Sequence, residues 1–414
     1  MLKRPTLWTR LLALALSGLL ALTACGSADS PGSSAAQTTR AATETQTTAA
    51  AELTDLAATT SETEVPGQTA EASQGQSGSA AEDSSAGQTT AFTDDTGRDL
   101  TLPADLTRIA PSGAMAQMFI LALAPDLLVS IAAEYSDQAQ AYIDPAVLSL
   151  PVIGAFYGDE NLNLEEIASL GAQVVIDMGE TKESITEDMN SITDATAIPA
   201  VHIDATLEST GEAFRKLGKL LGREEQAEKL AAYFDDTYSL IQDVMQAVGE
   251  DNKVSTLYLL GDQGQHVIAT GSFHAEVLNL MTNNLAVVDD PSSKGSGNET
   301  DLEQIMLWNP DVILFAPDSI YATVAEDPAW QNLTAITTGR YYEVPFGPYN
   351  WMGSPPSINR YLGMLWLGKL LYPEQATYDL YEQVQTYYQL MYQYDLTQEV
   401  FAQLTAKALP QVAE

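Results

Sequence analysis

Near the middle of this 414-residue chain one helical pattern is longer than any single α/β layer requires. From Arg223 to Val248, apolar side chains at Ala227, Leu230, Ala231, Phe234, Tyr238, Ile241 and Met245 recur at helical spacing. At 1.5 Å per residue this makes a rod of about 40 Å. A shorter helical stretch from Leu207 to Leu221 leads in, Gly222 interrupts, and Gly249 closes the rod. On either side the pattern changes to short apolar runs alternating with helices. Arg108-Ile109-Ala110 precedes a helix from Ala114 to Leu123; Leu127 to Ala132, Val174 to Ile176 and Ala200 to Ile203 follow, and Val254 to Leu260 resumes the rhythm. Such alternation predicts an α/β fold: lobes with mainly parallel sheets, two of them joined by the long rigid helix. The folded part, from about Phe92 to Leu409, is long for one core, which also favours two lobes. The expected boundaries are 91–206 for the first lobe, 207–249 for the helical spine and 250–409 for the second lobe.

The chain ahead of these lobes is not core material. Lys3, Arg4 and Arg10 precede an apolar run from Leu11 to Ala24, too short to span a membrane as a mature helix. The run closes on Leu22-Thr23-Ala24-Cys25, the lipobox pattern. Residues 1–24 are therefore expected to be a lipoprotein signal peptide, with Cys25 lipidated as the first mature residue. Cys25 is the only cysteine, so no internal disulfide is available and the fold must be held by its core. From 25 to 90 the sequence is Ser, Thr, Ala, Gln, Gly and Glu with almost no large apolar residue. It cannot bury enough surface to offset the entropy of ordering, and reads as a disordered tether with a reach of roughly 40–50 Å. The expected location is the cell membrane, lipid-anchored on its extracytoplasmic face. With 18 Lys and Arg against 56 Asp and Glu, the net charge of −38 argues against nucleic acid as a partner.

Two segments echo one another. Leu164-Glu165-Glu166-Ile167 leads to Val174-Val175-Ile176, and Leu302-Glu303-Gln304-Ile305 leads through Trp308-Asn309-Pro310-Asp311 to Val312-Ile313-Leu314. Each is a short Leu-Glu-x-Ile helix, a tight turn and a buried strand. Glu165 and Glu303 hold matching positions at helix starts, where the helix dipole favours a carboxylate.

With the opening Leu106-Thr107-Arg108-Ile109-Ala110, the helix Glu212 to Gly222, Trp351, Pro355-Pro356-Ser357 and Leu362 to Leu367, these segments resemble the iron-chelate and vitamin B12 class of ABC-importer binding proteins, from about Phe92 to Pro373. The resemblance implies a monomeric two-lobe clamp with a helical spine, a ligand cleft between the lobes and limited hinge motion. It also implies a metal-chelate ligand, such as an iron siderophore or haem, delivered to an ABC permease dimer. Glu165 and Glu303 would meet that permease, one from each lobe. A corrinoid and a small oxyanion such as molybdate or tungstate are the nearest rival ligands.

No catalytic constellation is visible, and no cofactor is called for; an ectoenzyme using the cleft is the rival from another class. His202, His266 and His274 form no helical metal pair. His202 lies inside a strand and is expected to be structural, while His266 is placed in a polar turn. Binding loops should follow strands at the cleft edge. The candidates are Ser112, whose following helix start offers N–H groups, Phe156 and Tyr157, Met178 in Asp177-Met178-Gly179-Glu180, His274 at a loop-to-helix junction, and Tyr349 with Trp351 in an aromatic loop. Trp351 is the leading ligand contact, since an aromatic supplies apolar area at little entropic cost. Trp366, in a helical stripe with Leu362, Leu365 and Leu370, is read as core.

Overall fold

The computed structural model describes residues 88–158, 160–317 and 319–410. The expected signal peptide, the lipidated Cys25 and nearly all of the tether lie outside the described residues. The first strand, Thr89–Thr93, begins slightly before the expected Phe92, because the β-branched Thr89 and Thr90 extend it. It pairs antiparallel with Asp99–Pro103. Asp94 fastens this hairpin to the first lobe. Its buried carboxylate accepts from the Thr96 N–H at 3.0 Å, the Arg98 Nε at 3.1 Å and the His202 N–H at 3.3 Å. Burial alone would raise the Asp94 pKa, but the hydrogen bonds from Thr96 and Arg98 outweigh it and hold the group below the usual carboxylate value.

The first lobe is built on three parallel strands, in the order Ile109–Pro111, Val174–Gly179, Ala200–Asp204. All six residues of the middle strand are buried. Val174, Ile176 and Met178 face one apolar cluster, and Val175 faces another on the opposite side. This is the two-residue period of a sheet covered on both faces. The run Leu127 to Ala132 is not the continuous strand expected. Pro125 opens a 3-10 turn, Pro125–Leu127, and only Leu128 and Ile131 bridge in parallel to Ile109 and Val152.

In the second lobe the strand order is Tyr341–Glu343, Val312–Phe315, Ser255–Leu260, His266–Val267, Asn298–Glu299, with Asn283–Asn284 also pairing to Ser255–Leu260. The pairs among the first three are parallel. His266 is thus in a short antiparallel strand and not in a polar turn; a two-residue strand carries too little alternation to show in sequence. Tyr258, Leu260, Val312 and Leu314 face the same cluster as Val174, whereas Leu257, Leu259, Ile313 and Phe315 face a separate one.

That shared cluster passes through the spine. The helix Thr210–Leu221 ends at Gly222, whose left-handed φ of 64° lets the chain reverse into the helix Glu224–Val248. The two helices press together where a Cβ on Gly218 would lie 2.2 Å from that of Ala227. A row of rings crosses the junction. Phe119 meets Phe214 at 4.7 Å between centroids, Phe214 stacks on Phe234 at 5.2 Å, and Phe234 meets Tyr361 at 4.6 Å. Tyr361 belongs to the wholly buried face of the helix Arg360–Leu371, which also carries Trp366, a core residue as expected. Beyond the second sheet, the helix Leu380–Tyr392 reaches back to the first lobe, where Tyr388 packs on Tyr142 at 5.4 Å.

Asp94→Ala is expected to remove about 3 kcal/mol of stability, as a buried charge pair is broken. The urea midpoint at pH 7 measures it. Because the native pKa is depressed, this contribution is present above the unfolded value of about 4 and fades as pH falls through the native one. The gap between wild type and variant should therefore close in acid. Equal midpoints at pH 7 would show that the hairpin is held by other contacts.

Candidate functional site

A cleft of about 1070 Å³ opens between the two lobes. In the first lobe its wall is made by the carboxyl ends of strands, where open α/β sheets present their loops. Ser112 follows Ile109–Pro111, and Asp177, Met178 and Glu180 lie at or just past the end of Val174–Gly179. Gly113, Ala114 and Met115, the start of the helix Ala114–Leu123, stand beside them. In the second lobe the wall comes from three loops, at Phe273-His274, at Ser293 to Ser296, and at Ser354 to Pro356.

The floor is a buried polar chain. The Ser112 hydroxyl donates to Asp177 Oδ1 in a short hydrogen bond, and Asp177 Oδ2 meets His202 Nδ1 at 2.7 Å. His202 is fully buried, the structural residue expected, and its Nε2 lies 3.2 Å from Thr181 Oγ1. The order matters. Ser112 forms no nucleophilic triad with them, since the carboxylate stands between its hydroxyl and the imidazole; Thr181 does stand beside the imidazole, but its hydroxyl donates to Asp204 Oδ1 at 3.0 Å.

Electrostatics on the walls are mixed. Lys182 lies over the Tyr157 ring at 4.0 Å from its centroid, and the Tyr157 hydroxyl donates to Asp188 at 2.8 Å. Burial raises the Glu180 pKa, Lys182 opposing and Glu276 adding to it. Burial lowers the His274 pKa, so the ring is neutral near pH 7; its Nδ1 donates to the Gly353 carbonyl at 3.0 Å. His274 thereby ties two of the second-lobe loops together. Behind it Arg360, fully buried, pairs with Glu276 and lies over Phe273 at 4.6 Å.

Of the residues picked from sequence, Ser112, Tyr157, Met178 and His274 border this cleft, Met178 with its side chain fully buried in the shared core. Phe156 lines a neighbouring pocket of about 460 Å³ with Leu162, Leu164 and Asp188, and Tyr157 borders both cavities. Trp351 and Tyr349 are corrections. Trp351 is 0% exposed and lies in the shared core. The loop turns it inward: Asn350 Nδ2 donates to Tyr258 at 2.9 Å, its Oδ1 accepts from the Met352 N–H at 2.8 Å, and Asn359 donates to the Asn350 carbonyl. The cleft-facing part of that loop is Ser354 to Pro356. Tyr349 instead braces the lobes, donating to Tyr135 at 2.9 Å while Gln117 donates to both hydroxyls. Sequence reasoning included Asp177 and Glu180 only as members of the candidate loop from which Met178 was picked, and left Lys182 out. The end of a buried strand was a signal for the first two. Among the described residues no three His, Cys, Asp or Glu side chains converge to hold a metal ion.

Glu165 and Glu303 are both exposed, each the second residue of its helix, Leu164–Ser169 or Leu302–Trp308. The echo extends to the caps: Asn163 accepts from the Glu166 N–H at 3.0 Å, and Asp301 from the Gln304 N–H at 2.7 Å. Among the described residues no helix is long and apolar enough to cross a membrane.

Residues 119–347 match a family model described as periplasmic binding protein. An ABC transporter solute binding protein from Sulfurospirillum deleyianum is similar in structure, with 27% identity and a TM-score of 0.70, over 76% of this chain and 99% of that one. A periplasmic solute binding protein from Veillonella parvula follows at 26% and 0.62, over 78% and 98%. A molybdate-bound periplasmic binding protein from Haemophilus influenzae shares the fold at 20% identity and 0.60, over 74% and 99%. No curated protein matches the sequence.

Trp351→Ala should behave as a core truncation, costing about 3–5 kcal/mol of stability. Chemical denaturation of the apo protein reads this directly. An unchanged midpoint would return Trp351 to the cleft.

Proposed function

We propose that this chain, which belongs to the periplasmic binding protein family, captures a metal chelate outside the cytoplasm and hands it to an ABC permease. The observation that carries this reading is the cleft. At about 1070 Å³ it matches the upper range of sites for organic ligands and far exceeds a bare oxyanion or ion. Its walls suit a chelate, with apolar surface from Met115, Tyr157 and Phe273 for the organic shell and polar groups at Ser112, Asp177 and the helix start. An iron siderophore, haem or a corrinoid is of the right size. Related proteins named for solute transport make the same use of the fold plausible here. Native mass spectrometry of protein purified from its own source should show an added mass with a metal isotope pattern, with absorbance at roughly 400 nm if the chelate is haem. A bound oxyanion, or an organic solute without metal, would reject chelate capture.

Glu165 and Glu303 support a docking role. They are matched and exposed, each following a side-chain cap, Asn163 or Asp301, so each lobe offers one acid at the same helix position. A two-subunit permease would meet one on each half, and two charges on separate lobes report the spacing between them. Exposed pairs of this kind add little energy singly but fix register and speed encounter. Lipidation of Cys25 would keep the clamp near that permease. Cellular uptake tests both ideas. Glu165→Ala with Glu303→Ala should abolish uptake while ligand affinity stays within twofold, and Cys25→Ala should leave an unprocessed or released chain. Normal uptake by the double variant at equal abundance would leave the acids as helix starts only. Fully processed, membrane-bound Cys25→Ala protein would refute the anchor.

A further inference from the structure

We infer that the cleft selects a chelate that is neutral or positively charged and presents N–H or O–H donors to the Ser112–Asp177 floor, and that it disfavours anionic chelates and oxyanions. This rests on the reading of the cleft as a chelate site and narrows it by charge and hydrogen-bond polarity.

The floor argument is one of donors and acceptors. Ser112 has one hydroxyl hydrogen, and Asp177 Oδ1 takes it. What Ser112 then offers the cleft is lone pairs. Asp177, 3% exposed, is an acceptor as well. A ligand oxyanion arriving here would meet two acceptors, while an amide N–H, a hydroxyl or an ammonium would be satisfied. The first turn of the helix Ala114–Leu123, on the same wall, supplies neutral N–H donors with no side-chain cap. Those suit a carbonyl oxygen or an anion alike, so the discrimination falls to the acceptors beside them. Side by side, acceptors and neutral donors are complementary to a carboxamide or hydroxamate edge.

The charge argument points the same way. Among the described residues lining the cleft, Glu134, Glu160, Asp177 and Glu180 are opposed only by Lys182 and Lys294. His202, hydrogen-bonded to Asp177 from behind, does not line the cleft. Arg360 does not alter the balance, since it is buried behind the wall and paired with Glu276. Of the two lysines, Lys182 is held against the Tyr157 ring, and Lys294 is exposed at the rim. Glu134 and Glu160 are exposed as Lys294 is, so the buried part of the lining sets Asp177 and Glu180 against Lys182 and is negative, where screening is weakest.

Titration of the purified apo protein with chelates of similar size but different charge tests this, read by tryptophan fluorescence and by calorimetry. Ferrioxamine B, a cationic amide-bearing hydroxamate, and cyanocobalamin, neutral and carboxamide-rich, are set against haem, ferric enterobactin and molybdate. At least one of the first two should bind tenfold or more tighter than any of the last three. Asp177→Asn should shrink that ratio severalfold. Because Asp177 is a buried hub, Glu180→Gln on the cleft wall serves as a second variant that leaves the floor intact, and it should shrink the ratio too. An anionic chelate or molybdate binding as tightly as the neutral probes would overturn the charge selection and leave capture standing. An unchanged ratio in both folded variants would do the same. Failure of every probe to bind would reject chelate capture itself, and this inference with it.

Discussion

Phe214 lies flat on Phe234, 7° from parallel, between the two helices of the hairpin that reverses at Gly222. Much of the rest of the architecture leans on that contact. Through Phe119 it reaches the first lobe, and through Tyr361 the helix Arg360–Leu371 of the second, buried from Arg360 to Gly368. The close approach of Gly218 to Ala227 brings the two helix axes near enough for the rings to stack. Around this row each sheet alternates its side chains, one set toward the common interior and one set toward a cluster of its own. A parallel sheet needs cover on both faces, and the common interior, of which the spine is one part, provides one of those covers for both sheets at once.

The cleft inherits its stiffness from this arrangement. Besides the spine, the lobes are joined by the Tyr349–Tyr135–Gln117 cluster and by Ser357, whose hydroxyl donates to the Met115 carbonyl at 3.4 Å. Met115 is itself part of the cleft wall. Hinge motion would have to bend a 25-residue helix or break these bonds, so closure is expected to be a small adjustment of loops rather than a wide swing. His274, clipping its loop to Gly353, makes the second wall a coupled unit.

The legible parts of this molecule were those governed by local periodicity. The helix Ala114–Leu123 has the bounds its apolar run implied, and the spine differs from its expected start by one residue. The Leu-Glu-x-Ile echo was visible because it repeats a local unit, cap included. Ser112 and Met178 could be placed because strand ends in this fold class face the cleft. What escaped was decided over long range. Trp351 sits in an aromatic loop that looks like a ligand surface, yet its direction is fixed by Asn350 reaching Tyr258, 92 residues away, and by Asn359. Asp177 looked like one loop acid among many. Its importance comes from Ser112 and His202, which only the sheet brings to it. No window of sequence contains such a triple.

The common interior also bears on how the protein comes into being. Val174 and Ile176 of one sheet and Val312 and Leu314 of the other pack into a single apolar cluster, and Tyr388 near the end of the chain rests on Tyr142. Neither lobe has a complete inner surface until the other is present. The lobes are separate in shape but not in cooperativity: cut at Gly249, each half would expose the apolar face meant for its partner. A chain made from its amino end must therefore wait for its last helices before the first sheet is sealed, and until then the open face is what a chaperone, or another copy, would find.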